Sequence, residues 1–455
     1  MASTMKPVDS SPVNRMQAEA LALHRRGRFG EAMSLLDRAI TTDDANSLLL
    51  RARLSITRSP SGAIATLHDA RFLGYSLRDQ AEAALLRGRA YAKLGEYETA
   101  EQSFTSAHAL LKECGIADRD LFREIEVSLG TMMIAQSRID EADGIGKALL
   151  QREKSAQVAA IFVLLAQIAW RREELEKNAA YLLQALRSIP GEAIPDVQLW
   201  AETLRQLAYV LQFVPSAALR EAAAHHVAAL PWTDELADLR SQVYRLLGTR
   251  AILDGAITEG FALYKRASTT PAASLHVRII AILTGAELAR WLAEPYFFEE
   301  NLLEATALSQ QVDWRSVAPG ARQILLLLAQ MHAHRDSALA LSFAAHFEAL
   351  GGYGPDHSGY GRVAVAQEKY CLGLLYAETG EKQKGVELLE AAFAEHVRLR
   401  FDWPAGQAAI VLAEITNSLA WRSRERTARP IPELVYEQAL STTRSHGRRF
   451  GAQKS

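Results

Sequence analysis

The sequence predicts an all-α fold, a right-handed α-solenoid of about ten antiparallel helix-turn-helix pairs. Three observations support this fold class. Turn signals recur at helix spacing, small residues recur at fixed intervals among larger ones, and β-branched alternation is absent over any useful length. At 455 residues the chain is several times a typical domain, so it must be multidomain or a repeat array.

The clearest hairpin is RGRAYAKLGEYETAEQSFTSA, residues 87–107. Its pattern predicts a helix, a turn at residues 94–96 and a second helix folded back on the first. Small residues would leave room where the two helices cross, and aromatic residues would fill the space beside them. The small residues are Gly88, Ala100 and Ala107, and the aromatic ones are Tyr91, Tyr97 and Phe104. One hairpin cannot bury its own apolar face, so the same spacing should recur.

Five further hairpins share a broadly common spacing. They lie near residues 20–39, 130–149, 166–190, 248–271 and 373–392. Together with the first hairpin, this pattern resembles the tetratricopeptide repeat (TPR) family, whose unit is a helix-turn-helix of about 34 residues. Residues 81–114 match best, although Ala84 stands at the family's tryptophan position and Lys112 at its closing proline. The resemblance covers roughly residues 14–425, and the signature fades at 197–230 and 275–350.

Composition shifts divide the chain into five segments. Residues 1–13 form a polar leader, and 14–350 form the TPR-like array. A glycine-rich loop at 351–361 separates this array from the C-terminal repeats at 362–425, and a basic terminal segment follows at 426–455. The leader lacks the apolar stretch of a signal peptide.

Charge and cysteine content narrow the functional class. The formal net charge is −2, which argues against a protein that seeks nucleic acid or coats membranes. No apolar run reaches the roughly 20 residues that a membrane span needs. The two cysteines, Cys114 and Cys371, indicate a reducing compartment. We therefore expect a cytoplasmic protein with no membrane contact. The long intervals between its hairpins resemble those of divergent bacterial TPR arrays.

The sequence contains no recognisable phosphate-binding, hydrolase or metal-ligand motif. Near Gly144–Lys147, Glu141 replaces the first glycine of a phosphate-binding loop, and Ala148 replaces its hydroxyl residue. Asp356–Ser358 holds the residue types of a hydrolase triad, but contiguous residues do not form one. Histidines do not recur at metal-ligand spacing. The sequence therefore predicts no enzyme activity, no metal and no cofactor, although repeat folds do sometimes host enzymes.

The TPR resemblance implies that the first helix of each pair lines a concave groove. Carried over position by position, the predicted groove residues are Leu85, Arg89, Lys93, Thr131, Arg245, Thr249, Tyr370 and Glu378. Asparagine is missing from the positions that hold a partner's C-terminal carboxylate in some family members. Arg89 and Lys93 could bind an acidic or amphipathic segment. Alternatively, both are ordinary solvated cations.

The glycine-rich loop is a second candidate site. Two aromatic rings, a titratable imidazole and a guanidinium in this loop could bind a small ligand. The residues that carry them are Tyr353, His357, Tyr360 and Arg362. The alternative is a polar loop without a ligand. The basic terminal segment could contact phosphates, but a frayed terminus explains it as well, and we expect no nucleic-acid partner.

Without catalytic residues, a helical array is by default an interaction surface. We therefore predict a non-catalytic TPR-like scaffold or adaptor that presents its groove to a protein or peptide. The alternative is a sensory regulator that binds a partner or a small effector. Residues 398–416 resemble the closing repeat of LuxR/MalT-like transcriptional regulators, but this chain lacks their NTPase module, and residues 425–455 are too short for their DNA-binding domain.

Overall fold

The computed structural model describes most of the chain. The described residues are 12–39, 45–56, 59–67, 74–113, 115, 118–152, 158–189, 196–214, 216–292, 295–317, 322–333, 335–350, 359–398, 402–421 and 424. Across these residues the secondary structure is helical, with no strand, and the predicted all-α fold is confirmed. The chain divides into two compact units, Met1–Val210 with Ser216–Leu236, and Leu211–Pro215 with Ala237–Ser455.

Unit 1 contains twelve described α-helices and a short 3-10 helix, Asp234–Leu236. The α-helices are α1 Pro12–Arg25, α2 Phe29–Ala39, α3 Ala45–Ser55, α4 Pro60–Leu67, α5 Leu77–Lys93, α6 Tyr97–Glu113, α7 Arg119–Ala135, α8 Ile139–Arg152, α9 Ala159–Arg171, α10 Leu175–Ser188, α11 Val197–Val210 and α12 Ala217–Ala229.

Unit 2 contains nine described α-helices. They are α13 Ala237–Leu253, α14 Ile257–Ser268, α15 Leu275–Trp291, α16 Pro295–Ser309, α17 Gln323–His332, α18 Ser337–Ala349, α19 Gly359–Glu378, α20 Lys382–Arg398 and α21 Asp402–Thr416. Because α19 begins at Gly359, the last three residues of the predicted glycine-rich loop are helical.

Consecutive helices pack as pairs, from α1 with α2 to α19 with α20, and α21 packs on α20. Within unit 1 the first helices of successive pairs also touch, from α1 through α3, α5 and α7 to α9. The same holds in unit 2 from α13 through α15, α17 and α19 to α21. This stacking is that of an α-solenoid, because each pair buries its apolar face only against its neighbours.

Small residues allow the helices of a pair to cross closely. A Cβ atom added to Gly88 on α5 would lie 2.5 Å from the Phe104 ring on α6, so a larger residue would force the ring to shift. Ala100 and Ala107 are fully buried beside the same ring. In unit 2, a Cβ on Gly385 would lie 2.7 Å from the backbone nitrogen of Ala377. The predicted close packing at small residues is therefore observed at both crossings. Phe104 fills the space at the first crossing as predicted, whereas Tyr97 is 38% exposed, and its predicted packing is wrong.

Six of the described turns within pairs have a residue in the left-handed conformation. In the α5–α6 turn, Gly95 has φ +81°, and the Glu96 amide donates to the Tyr91 carbonyl at 3.0 Å. This left-handed residue closes the first helix and reverses the chain. In the α7–α8 turn the same position holds Ser137, with φ +64°, although a residue with a Cβ disfavours that conformation.

Candidate partner-binding groove

A concave groove of about 1260 Å³ runs along the inner helices of unit 1. Each first helix of a pair contributes to its wall, from α1 to α11. One lining residue from each, in chain order, is Gln17, Arg53, Arg89, Glu124, Ala159 and Glu202. The TPR-like pairing therefore gives unit 1 a continuous concave surface on its first helices.

A network of ion pairs crosses the groove between α3, α5 and α7. Arg53 on α3 lies 2.9 Å from Glu82 on α5 and 3.2 Å from Glu124 on α7. Arg78 extends the network, at 3.1 Å from Glu82 and 2.9 Å from Asp118. Because guanidinium groups alternate with carboxylates, the network ties three inner helices together and largely neutralises their charge.

Burial and charge act in opposite directions on this network. Burial alone would raise the pKa of Glu124, but the charges of Arg89 and Arg53 outweigh it and hold that pKa below its usual range. Burial likewise opposes the charged form of Arg53, yet Glu124 and Glu82 raise its pKa. Burial lowers the pKa of Arg89, and Glu124 counters this shift. These groups stabilise one another as ions.

Of the predicted groove residues, Arg89, Lys93 and Thr131 line the unit 1 groove. Arg89 lies 3.2 Å from the Glu124 carboxylate and donates to the Ser128 hydroxyl at 3.0 Å. Lys93, one turn further along α5, is exposed and has no ion-pair partner among the described residues. Arg89 is therefore engaged within the protein, whereas Lys93 is available to a ligand.

Leu85 was predicted on the groove, and this prediction is wrong. Its side chain is fully buried, with an exposed fraction of 0%, in a core cluster that includes Phe104 and Ile125. The α7 pair covers this face of α5, so a position that the repeat pattern places beside the groove lies instead between neighbouring pairs.

The predicted groove residues of unit 2 are mostly enclosed. Tyr370 is 2% exposed in the core cluster, because α17, α20 and α21 all pack on α19. The Glu378 side chain is also 2% exposed and lies 3.7 Å from Arg290. Both predictions of an exposed groove position are wrong. Thr249 lies 2.7 Å from the Tyr264 hydroxyl, and Arg245 is half-buried.

Unit 2 also contains a half-buried acidic group that the sequence pattern does not reveal. Glu287 lies on α15, and burial raises the pKa of its carboxyl to about 7, although Arg290 opposes this shift. Burial also raises the pKa of Tyr370, and the nearby Glu287 charge adds to that shift. Hydrophobic periodicity gives no signal for such a group, because a single acid among apolar residues looks like an exposed position.

The second predicted site lies largely outside the described residues. Tyr353 and His357 are outside them, and so is the basic segment 426–455. The backbone of Tyr360 and Arg362 belongs to α19. Within the described part of the chain, every helix falls short of the length and apolar character that crossing a membrane requires.

The sequence reasoning missed Arg53, Glu82 and Glu124, which form the centre of the groove network. Arg53 lies on α3, in a pair that carries no recognisable repeat signature. A weak signal existed in Arg78 and Glu82, which have the i, i+4 spacing of a helical ion pair.

No protein-family model matches the chain, and no curated protein matches it. Solved structures do match. The Rap protein complexed with competence and sporulation factor has 12% identity and a TM-score of 0.46, over 92% of this chain and 100% of that one. Aspartyl phosphate phosphatase F from Bacillus subtilis has 13% identity and a TM-score of 0.40, over 88% and 96%.

The human IFIT1 dimer with PPP-AAAA has 12% identity and a TM-score of 0.42, over 98% of this chain and 95% of that one. All three are TPR-like helical repeat proteins. With TM-scores below 0.5 and identities of 12–13%, these similarities carry no conclusion about what this chain binds.

Proposed function

We propose that this chain is a non-catalytic scaffold whose unit 1 groove binds a segment of a protein partner. The observation that carries the proposal is the groove itself, which the first helices of six successive pairs line over about 1260 Å³. Small-molecule sites are usually about 300–1,000 Å³ in volume. A polypeptide segment therefore fits this groove better than a small effector does.

The mixture of apolar and charged side chains that line the groove suits a partner segment that is amphipathic. Apolar side chains such as Leu21, Leu50 and Val127 alternate in the groove with charged ones. Because Glu124 already engages Arg89, Lys93 is the cation best placed to meet an acidic group of the partner. The apolar contacts would supply affinity, and the charges would set orientation and partner choice.

Site-specific photo-cross-linking in the native host tests this proposal. A photoreactive amino acid replaces Thr131 inside the groove or, as a control, the exposed Gln102 on outer helix α6. We expect Thr131 to capture a partner that Gln102 does not. Equal capture from both positions would contradict the groove assignment.

The role of Lys93 is tested in the same assay. We expect Lys93→Glu to lower capture from Thr131 by roughly fivefold, as loss of an exposed charge contact of about 1 kcal/mol implies. The matched control is Lys112→Glu, the same charge reversal at an exposed position on α6. If both reversals lower capture equally, the effect is one of net charge, and Lys93 makes no specific contact.

A further inference from the structure

The turn between α1 and α2 contacts a segment 205 residues further along unit 1. The Glu235 carboxylate accepts hydrogen bonds from the backbone amides of Phe29 and Gly30, the latter at 2.7 Å. The Thr233 hydroxyl donates to the Gly27 carbonyl at 3.0 Å. We call Thr233 and Glu235, with the amides and carbonyl that they bind, the closing contact.

Glu235 caps the N-terminus of α2. The first amides of a helix have no acceptor within the helix, and a side chain just before it usually accepts from them. Ser76 does so for α5 and Asp118 for α7. The residue before α2 is Arg28, whose guanidinium can only donate. The N-terminus of α2 is therefore capped by a remote segment.

The closing contact joins the two ends of the groove wall. Helix α1 provides the first lining residues, and α11 provides the last. The closing contact links the α1–α2 turn to the segment that follows α12, the partner helix of α11. His24 on α1 lines the groove, and burial lowers its pKa against the opposing charges of Asp196 and Glu235. The first and last helix pairs that contribute to the groove wall are thus joined through the α1–α2 turn and the segment after α12.

The polar part of the closing contact can be disrupted by salt or by substitution. Glu235 is exposed, and an exposed carboxylate at a helix N-terminus is screened by salt. The apolar part of the contact is Leu236, which is 2% exposed and lies against Gly27. Opening therefore breaks the hydrogen bonds of two side chains and separates Leu236 from Gly27, while the core cluster of α5–α9 contains no residue of this segment.

We propose that Glu235 and Thr233 form a releasable latch that closes the groove of unit 1, so that a partner segment enters when the latch opens and is then enclosed. The gating role rests on the proposed function of the groove. The latch itself does not, because its opening is measurable without a partner.

Hydrogen–deuterium exchange at single-amide resolution tests the latch on the full chain. The open variant carries Glu235→Ala with Thr233→Val, and the matched control carries Asp234→Ala, an adjacent exposed acid. We expect the Phe29 and Gly30 amides to exchange roughly fivefold faster or more in the open variant and in 0.5 M salt, but not in the control. Exchange in α5–α8 should not change.

Two outcomes of this experiment would overturn the latch. Unchanged exchange at Phe29 and Gly30 would show that Glu235 does not hold the α2 N-terminus. Faster exchange throughout unit 1 would show that the contact is a required part of the fold and cannot be released separately.

Photo-cross-linking from Thr131 then tests gating. Faster capture in the open variant than in the Asp234→Ala control supports it, and equal capture rates overturn it. If no variant captures a partner while the two amides still respond, the proposed function of the groove fails and the latch stands.

Discussion

Two glycines in unit 1 give a direct measure of what holds the repeats together. Gly88 and Gly144 both lie inside helices, α5 and α8 respectively. A methyl group on Gly88 would lie 2.5–3.0 Å from three atoms of the Phe104 ring. A methyl group on Gly144 would meet no atom within 4 Å outside the backbone of its own helix. The same substitution by alanine therefore tests packing at one site and helix propensity alone at the other.

The two substitutions should change the free energy of unfolding in opposite directions. Alanine is favoured over glycine inside a helix by about 1 kcal/mol, so Gly144→Ala should raise the free energy of unfolding by that amount. Gly88→Ala gains the same propensity, but overpacking against a buried ring costs about 1–3 kcal/mol. We expect a net loss of up to about 2 kcal/mol for Gly88→Ala. The two variants should then differ by about 1–3 kcal/mol.

Urea denaturation followed by circular dichroism measures both values. Combining Gly88→Ala with Phe104→Leu supplies a further check, because a smaller side chain relieves the overlap. The loss from Phe104→Leu should then be smaller in the Gly88→Ala background than in the wild type. Equal stabilisation by alanine at both glycines would refute the idea that close nesting of rings and small residues builds these pairs.

Two more predictions concern the backbone conformation of the turns and the pKa of a half-buried carboxyl group. Ser137→Gly should stabilise the protein by about 1 kcal/mol and Gly95→Ser should destabilise it similarly, both by urea denaturation, because each position is left-handed in its turn. The pKa of Glu287 is raised to about 7 in the folded state, from about 4.5 when unfolded, so its ionisation costs stability as pH rises through this range. Glu287→Gln should therefore unfold like the wild type at pH 4 but be about 1–3 kcal/mol more stable at pH 8. Urea denaturation at both pH values measures this, with Glu304→Gln, at an exposed position of α16, as the matched control.

Local contacts are what the sequence predicts well here. The pairing of α5 with α6 follows from small residues and rings less than twenty positions apart, and the turn between them follows from Gly95. Leu85 and Tyr370 were placed wrongly because a repeat register fixes which face of a helix meets its own partner. The register does not fix where the next helix pair packs along that face. Burial between pairs depends on this offset, which divergent repeats change from pair to pair.

Long-range polar contacts are harder to predict. Glu235 caps a helix that begins 206 residues earlier, and no periodicity links the two segments. Arg53 and Glu124 meet across 71 residues for the same reason. Such contacts arise only once the curvature of successive pairs is set. A polar side chain that looks exposed in a single repeat can then acquire a partner from a distant one.

The two cations that the sequence suggested for partner binding therefore have different roles. Arg89→Glu would place a carboxylate beside Glu124, which Arg53 alone could not neutralise. Because Arg89 is only 32% exposed, we expect a loss of stability of about 1–3 kcal/mol, between the values of exposed and buried ion pairs. Lys93→Glu disrupts no ion pair in the described residues and should leave unfolding within about 0.5 kcal/mol of the wild type. If urea denaturation shows equal losses for the two reversals, the network across the groove does not stabilise unit 1, and Arg89 is as available to a partner as Lys93.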